Sequence, residues 1–239
     1  MVSQGFSAGG GTTTLTVARV SRQARDVRSF DMGVAGGSKI AHAPGQVARL
    51  RVGEAESYFA VASAPEDDAL EFLVKRTGGA SGDVGGPFYE LRAGDRVELT
   101  QLVGRGFPLD AHAGRDLVFV AMGTGIAPVR SALRHAIARA DSFGQLVALY
   151  GARTPEDFCY QDETDEWRAA GVELRQVISR PDGYEWAGQT GYVQSLLDHV
   201  LPTLASPVAF VAGSREMIEH TRDRLQQMGL DAEQILTNY

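Results

Sequence analysis

Residues 117–133, LVFVAMGTGIAPVRSAL, constrain the chain more than any other stretch. Leu117, Val118, Phe119, Val120 and Ala121 form an unbroken apolar run ahead of a glycine turn, the pattern of a strand buried on both faces. Gly123, Thr124, Gly125 and Ile126 follow. Pro128 stands where a helix can begin, because the N–H it lacks would have no intrahelical partner there. Val129, Leu133 and Ile137 then mark one apolar helical face. Strand, glycine turn and helix N-terminus together suit an anion: glycines let the backbone approach, and the first-turn N–H groups and helix dipole favour negative charge. Pro128 occupies the place of the third glycine in a full dinucleotide fingerprint. A bare Gly-x-Gly also serves ordinary tight turns, so on physical grounds a structural turn and a phosphate loop both stand.

The chain reads differently on either side of this segment. Residues 1–11 are short, polar and glycine-rich, and predict a disordered start. From residue 12 to 113, six apolar or alternating segments (15–20, 27–30, 47–52, 58–62, 70–74 and 97–102) are separated by turn chemistry such as AGG, APG and APEDD. This spacing predicts a six-stranded antiparallel β-barrel. A glycine-rich interruption, residues 77–87, precedes a short helical segment near Phe88 and Leu91. Beyond residue 114 strands alternate with helices. Strands are predicted at 117–122, 146–151, 173–178, 207–212 and 234–238, and helices at 128–141, 155–170, 190–201 and 214–228. Thr154-Pro155 and Ser214 are helix starts, and Gly229 is a helix stop. Alternation of this kind predicts an α/β Rossmann-like parallel sheet with its ligand at the carboxyl ends of the strands. The boundary between the two halves falls near residues 113–115.

The string GTGIAPVRS resembles the nucleotide-binding loop of the ferredoxin–NADP reductase family, flavoenzymes that pass electrons between a nicotinamide and a partner. The resemblance runs from about Leu15 to the end. LYGARTPEDFCYQDE (149–163), ISRPDGYEWAGQTGYV (178–193) and AFVAGSREM (209–217) are similar to successive family segments, and YFAVASAP (58–65) aligns with the flavin motif. It implies a FAD-binding barrel over 12–113, with FMN as the other option, and an NAD(P)-binding domain over 114–239. On the flavin side the implied contacts are Phe59, Ala60, Val61, Ala62 and Ser63, with Lys75, Gly79, Ala80 and Ser81 near the phosphates. On the nicotinamide side they are Gly123, Thr124, Gly125, Ile126, Pro128, Arg153, Ser179, Arg180, Gly213, Ser214 and Met217. Tyr239, the last residue, matches the family's terminal aromatic, which covers the flavin ring and yields to the nicotinamide.

The departures matter as much. Ser57 replaces the arginine that pairs with flavin phosphate, Phe59 the stacking tyrosine, and Ala60 the serine facing the reactive nitrogen, while Ser63 persists. Loss of such a charge-assisted contact typically costs ~1.5–3 kcal/mol. Lys75 and Arg76 either supply a replacement cation or form a solvated basic pair. Ala212 replaces the cysteine that lies near the reacting carbon. Arg153 and Arg180, each just past a predicted strand, suit a 2′-phosphate or an adenine face, and equally a surface ion pair. No acidic residue stands ready for a ribose diol, which tilts the choice between NADPH and NADH towards NADPH. Trp167, Met217 and Met228 read as core, and Glu66-Asp67-Asp68 as a solvated turn.

A net charge of -7 argues against nucleic acid. No apolar run nears the ~20 residues of a membrane span, and the cytoplasm is the default compartment. One cysteine, Cys159, holds neither a disulfide nor an iron–sulfur cluster. The five scattered histidines predict surface or capping roles and no metal site. The expected activity is NAD(P)H-dependent flavin oxidoreduction with an unidentified redox acceptor, protein or small molecule. The alternative is a weakened relative that survives as a nucleotide- or partner-binding module.

Overall fold

A computed structural model describes residues 12–76 and 85–238. The first half holds β1 (Thr13–Ala24), β2 (Val27–Val34), β3 (Val47–Val52), β4 (Ala55–Ala60), β5 (Leu70–Lys75), the single-turn helix α1 (Gly86–Tyr89) and β6 (Arg96–Val103). These strands pair antiparallel in the order β4-β3-β6-β1-β2-β5. The sheet curls until Val61, just past β4, bridges Phe72 of β5. With that single bridge between its edges, the predicted barrel is a curled six-stranded half-barrel. Its interior is apolar, with Leu15, Phe30, Leu50, Phe72, Phe88 and Leu99 essentially without exposure.

The second half holds β7 (Asp116–Met122), α2 (Ile126–Ile137), β8 (Leu146–Ala152), α3 (Thr164–Ala169), β9 (Glu173–Ile178), β10 (Gln189–Thr190), α4 (Leu197–Val200), β11 (Pro207–Ala212), α5 (Arg215–Gln227) and β12 (Ile235–Leu236). All six strands run parallel in the order β10-β9-β8-β7-β11-β12. The central strand β7 is buried along nearly its whole length, as its unbroken apolar run requires. Consecutive strands step from β7 towards β8 on one side, whereas β11 lies on the other. The crevice beyond β7 and β11 is therefore the topological switch point, where ligands of such sheets bind.

Several local expectations need correction. α2 starts at Ile126, which leaves Pro128 in the first turn at its third position, still with no N–H bond to lose. The single helix predicted over 155–170 is instead two 3₁₀ turns followed by α3. Phe158, Cys159 and Tyr160 between them are buried, and Tyr160 takes a left-handed backbone (φ 56°). The segment predicted as helix over 190–201 begins with β10 and continues as short 3₁₀ and α turns. The acidic turn is not simply solvated: Asp67 pairs with Arg134, and Glu66 with His135 and Arg139, all drawn from α2 and its C-terminal end. His135 is consequently buried, not a surface residue. Ser214 does cap α5, accepting the N–H of Met217. Gly229 (φ 96°) ends that helix in a Schellman turn, with Leu230 N–H on the Leu225 carbonyl and Gly229 N–H on that of Gln226.

The two halves meet through a buried polar joint. Arg130 of α2 donates to the Ala62 carbonyl (2.9 Å), to Glu71 of β5 (2.9 Å) and to both oxygens of Glu163 (2.9 Å each). The Tyr160 ring lies under its guanidinium at 4.3 Å, and the Tyr160 hydroxyl donates to the second Glu71 oxygen (2.9 Å). Burial works against the Arg130 charge, yet its carboxylate partners hold its pKa above the ordinary value. Burial pushes Glu71 upward. Ser131 completes the joint: it donates to the Ser63 carbonyl (2.6 Å) and accepts the Gly45 N–H (2.8 Å).

Candidate functional site

Gly123, Thr124 and Gly125 form a 3₁₀ turn that leads directly into α2. Gly123 has φ 56°, a left-handed value that glycine adopts without a Cβ penalty. The Ile126 N–H turns back onto the Gly123 and Thr124 carbonyls. The Thr124 and Gly125 N–H groups open the helical turn, where no earlier helical carbonyl reaches them. Gly125 has an ordinary φ of -60°; its constraint is contact. A Cβ there would meet the Ala212 carbonyl oxygen at 2.4 Å and the Gly213 nitrogen at 2.8 Å. The turn after β7 thus rests directly on the turn after β11, at the switch point. Gly213 is held close in its own right, since a Cβ would meet the Met217 methyl at 2.3 Å.

Arg153 and Arg180 are neighbours at the carboxyl ends of β8 and β9. The Arg180 N–H donates to the Arg153 carbonyl (2.8 Å), and Ser179 N–H to that of Ala152 (3.0 Å). Both guanidiniums are exposed, and among the described residues neither enters an ion pair. The Gly191 N–H donates to the Ile178 carbonyl (2.8 Å), which brings Tyr192 to the same edge. Its side chain is 69% exposed. Two cations and an aromatic face thus line the carboxyl ends of β8, β9 and β10, on the same edge of the sheet as the glycine turn. Sequence reasoning misses Tyr192, although it sits inside the GQTGYV string; a tyrosine directly after a glycine past a strand is the available signal.

Other predicted contacts divide. Ile126 and Pro128 are buried supports of the turn, and Pro128 packs against Gly45, where a Cβ would come within 2.7 Å of the Pro128 carbonyl oxygen. Met217, offered both as a contact and as core, is buried in the apolar layer beneath α5, and its sulfur accepts from Thr221 (3.2 Å). Ser214 and Gly213 are exposed at the rim. On the barrel side, Val61, Ala62 and Ser63 are buried, and the Ala62 and Ser63 carbonyls are engaged in the joint; the Ser63 hydroxyl accepts the Glu71 N–H (3.0 Å). They support the site from within and offer no open contact. Phe59 is half-buried with its ring 4.9 Å from that of Phe88, and Ala60 lies at the rim. Arg76 is taken, its guanidinium over the Tyr89 ring at 4.5 Å and paired with Glu90. Lys75 is exposed at the end of β5. Gly79, Ala80, Ser81 and Tyr239 lie outside the described residues.

No reactive thiol or base serves the site among the described residues. Burial raises Cys159 to about 12 and lifts Tyr150 and Tyr160 well above their ordinary values, so all three stay protonated. Among the described residues no helix is long and apolar enough to cross a membrane.

Comparison with known proteins agrees. A family model described as an oxidoreductase NAD-binding domain matches residues 119–223. A fruit protein of Actinidia deliciosa (pKIWI502) is 31% identical over 210 residues, 81% of this chain and 65% of the relative. Ferredoxin–NADP reductase B of Sorangium cellulosum is 30% identical over 179 residues, 72% of each chain. Among solved structures, the Amycolatopsis cytochrome P450 reductase superposes with TM-score 0.82 at 27% identity, covering 96% of this chain and 70% of that one. A Neisseria gonorrhoeae ferredoxin NADP+ reductase with bound FAD and NADP shares the fold at TM-score 0.78 and 21% identity, covering 96% and 98%.

Proposed function

The chain belongs to the ferredoxin–NADP reductase family, and from that premise we propose that it is an NADPH-dependent flavoprotein oxidoreductase whose electrons leave for a separate acceptor. Residues 12–113 form the flavin domain and 114–239 the nucleotide domain. The observation that carries the reading is the switch point. There the Gly123–Gly125 turn rests on the Gly213-Ser214 rim, and along the same carboxyl edge of the sheet lie Arg153 and Arg180, which enter no ion pair among the described residues.

The residues present fit a dinucleotide. Thr124 and Gly125 N–H groups take the pyrophosphate, Arg180 and Arg153 the 2′-phosphate, and Tyr192 the adenine face. They also fit a flavin, with changed contacts. Phe59, braced on Phe88, offers the ring platform, and Lys75 supplies the cation that Ser57 does not. When bound, the flavin supplies acceptance of a hydride and its release as electrons. The chain's own task is to bring the two together. The Arg130 joint fixes the angle between barrel and sheet. Asn238 donates to the Gly45 carbonyl (3.0 Å) and so ties the tail to that joint, one residue before Tyr239. Tyr239 is assigned the family's role of covering the ring.

A purified sample that is yellow, or becomes so with FAD, and that reduces a dye with NADPH faster than free flavin does, supports this function. FMN in place of FAD would be identified by chromatography of the extracted flavin. The degenerate positions Ser57, Ala60 and Ala212 favour a second reading, a relative that binds nucleotide without turnover. Nucleotide binding with no flavin affinity and no dye reduction would establish that one instead.

A further inference from the structure

Tyr150 has no part in the reading above, yet its position is singular. It sits on β8 beside the central strand, fully buried. Its hydroxyl donates to the carbonyl of Gly123 (3.1 Å), the first residue of the glycine turn and the one with the left-handed backbone. The same hydroxyl accepts the Cys159 N–H (3.1 Å). Cys159 adjoins Tyr160, which among the described residues is alone among non-glycines in having a positive φ. Tyr160 is held by the barrel half at both ends: its N–H donates to Gln23 (3.0 Å) and its hydroxyl to Glu71 (2.9 Å). A non-glycine persists in that backbone region only where surrounding contacts over-determine it. One phenol therefore connects the glycine turn to the segment that clamps the barrel.

We propose that Tyr150 is a positioning residue for the nucleotide turn, and that through Cys159 and Tyr160 it makes nucleotide affinity depend on the barrel–sheet clamp. This rests on the assignment of residues 123–125 as the nucleotide turn. Tyr150→Phe keeps the ring, which packs edge-on against Phe158 at 4.9 Å, and removes only the hydroxyl. The Cys159 N–H then loses its acceptor, and the Gly123 carbonyl keeps, among the described residues, only the Ile126 N–H, so the turn loses its side-chain link to β8. Coupling of this kind demands two elements that move together, and the shared hydroxyl supplies the link.

The test is calorimetric titration of the full chain with NADP+, beside amide exchange of the nucleotide-free protein. Tyr150→Phe should weaken NADP+ about 10-fold and speed exchange across residues 123–127, with β11 unchanged. Tyr160→Phe, which leaves the glycine turn untouched and Arg130 on Glu71, should weaken it about 3-fold in the same direction. If Tyr150→Phe does not fold, Tyr160→Phe decides by itself. A parent chain that binds no nucleotide overturns the assignment of the turn. A parent that binds NADP+, with both variants binding it equally well, overturns the role given to Tyr150.

Discussion

The two ends of the parallel sheet have opposite designs. At the amino end, the Asp116 carboxylate accepts three backbone N–H groups, from Gln145 (2.8 Å), Ala205 (2.8 Å) and Ser206 (3.0 Å). Gly144 presses so close that a Cβ would lie 2.2 Å from an Asp116 oxygen. Arg115 adds a bond to the Ser206 carbonyl (2.8 Å). Its polar groups meet inside the chain. At the carboxyl end, Arg153 and Arg180 are exposed without ion-pair partners among the described residues, and the helical turn at Thr124 opens outward. A sheet gains stability where polar groups are satisfied internally and binding capacity where they are not. The comparison separates residues that hold the fold from residues that hold a ligand, and mutations at the two ends should separate as well.

The largest effect belongs to the amino end. Asp116→Ala leaves three N–H groups without their acceptor and should destabilise the chain by about 4 kcal/mol, read by chemical denaturation. Nucleotide affinity of the folded fraction should be unchanged. Burial opposes the Asp116 charge, but the three N–H groups and Arg115 together hold its carboxyl below the ordinary value. Its stabilisation is therefore fully present above the ordinary carboxylate range and lost as pH falls through the depressed folded value. Asp116→Asn should flatten that acid limb of the stability profile; an unaltered limb would mean that other carboxylates set it.

Gly125→Val comes next, at a carboxyl-end glycine that is packed as closely as the amino end. Read from the sequence, the added branches should block a phosphate more than they disturb the fold. The contacts reverse that expectation. A Cβ at 2.4 Å from a backbone oxygen must push the ends of β7 and β11 apart, which costs about 3 kcal/mol or more. Thermal unfolding should register the change before any titration does. A variant with parental stability and lost affinity would restore the phosphate as the reason for this glycine.

This reversal shows what is legible in residue order. Periodicity and turn chemistry reveal both sheets, because burial on one or two faces leaves its mark there. The helix expected over 155–170 fails for a tertiary reason. Thr154-Pro155 does open a helical turn, but Gln23 and Glu71, far upstream in the barrel, hold Tyr160 in a left-handed backbone that interrupts it. Arg130 is hidden in the same way. Nothing in GTGIAPVRS marks its arginine as buried, and only the fold supplies the two carboxylates that pair with it. At the site, the glycines are legible as a turn, whereas the reason for each glycine is not. Gly123 answers to φ and Gly125 to packing.

At the carboxyl end effects should appear in affinity alone. Arg180→Ala removes a charge-assisted contact to a 2′-phosphate worth ~1.5–3 kcal/mol, so NADP+ binding should weaken by one to two decades. NAD+ binding and the unfolding midpoint should stay as in the parent. Equal losses for both nucleotides would move Arg180 from the 2′-phosphate to a part that the two share.

Tyr192→Ala should have the smallest effect and the sharpest meaning. The ring is largely exposed, so its removal creates no cavity and should leave stability within about 0.5 kcal/mol of the parent. An aromatic stacked on adenine contributes ~0.5–1.5 kcal/mol beyond simple burial, and its loss should weaken NADP+ and NAD+ alike by about 3- to 10-fold. Arg180 discriminates between the two nucleotides; Tyr192 should not. Tyr192→Phe should restore affinity in full, since the ring face and not the hydroxyl makes the contact. If Phe fails to restore what Ala removes, the hydroxyl is the contact, and the adenine lies elsewhere on this edge.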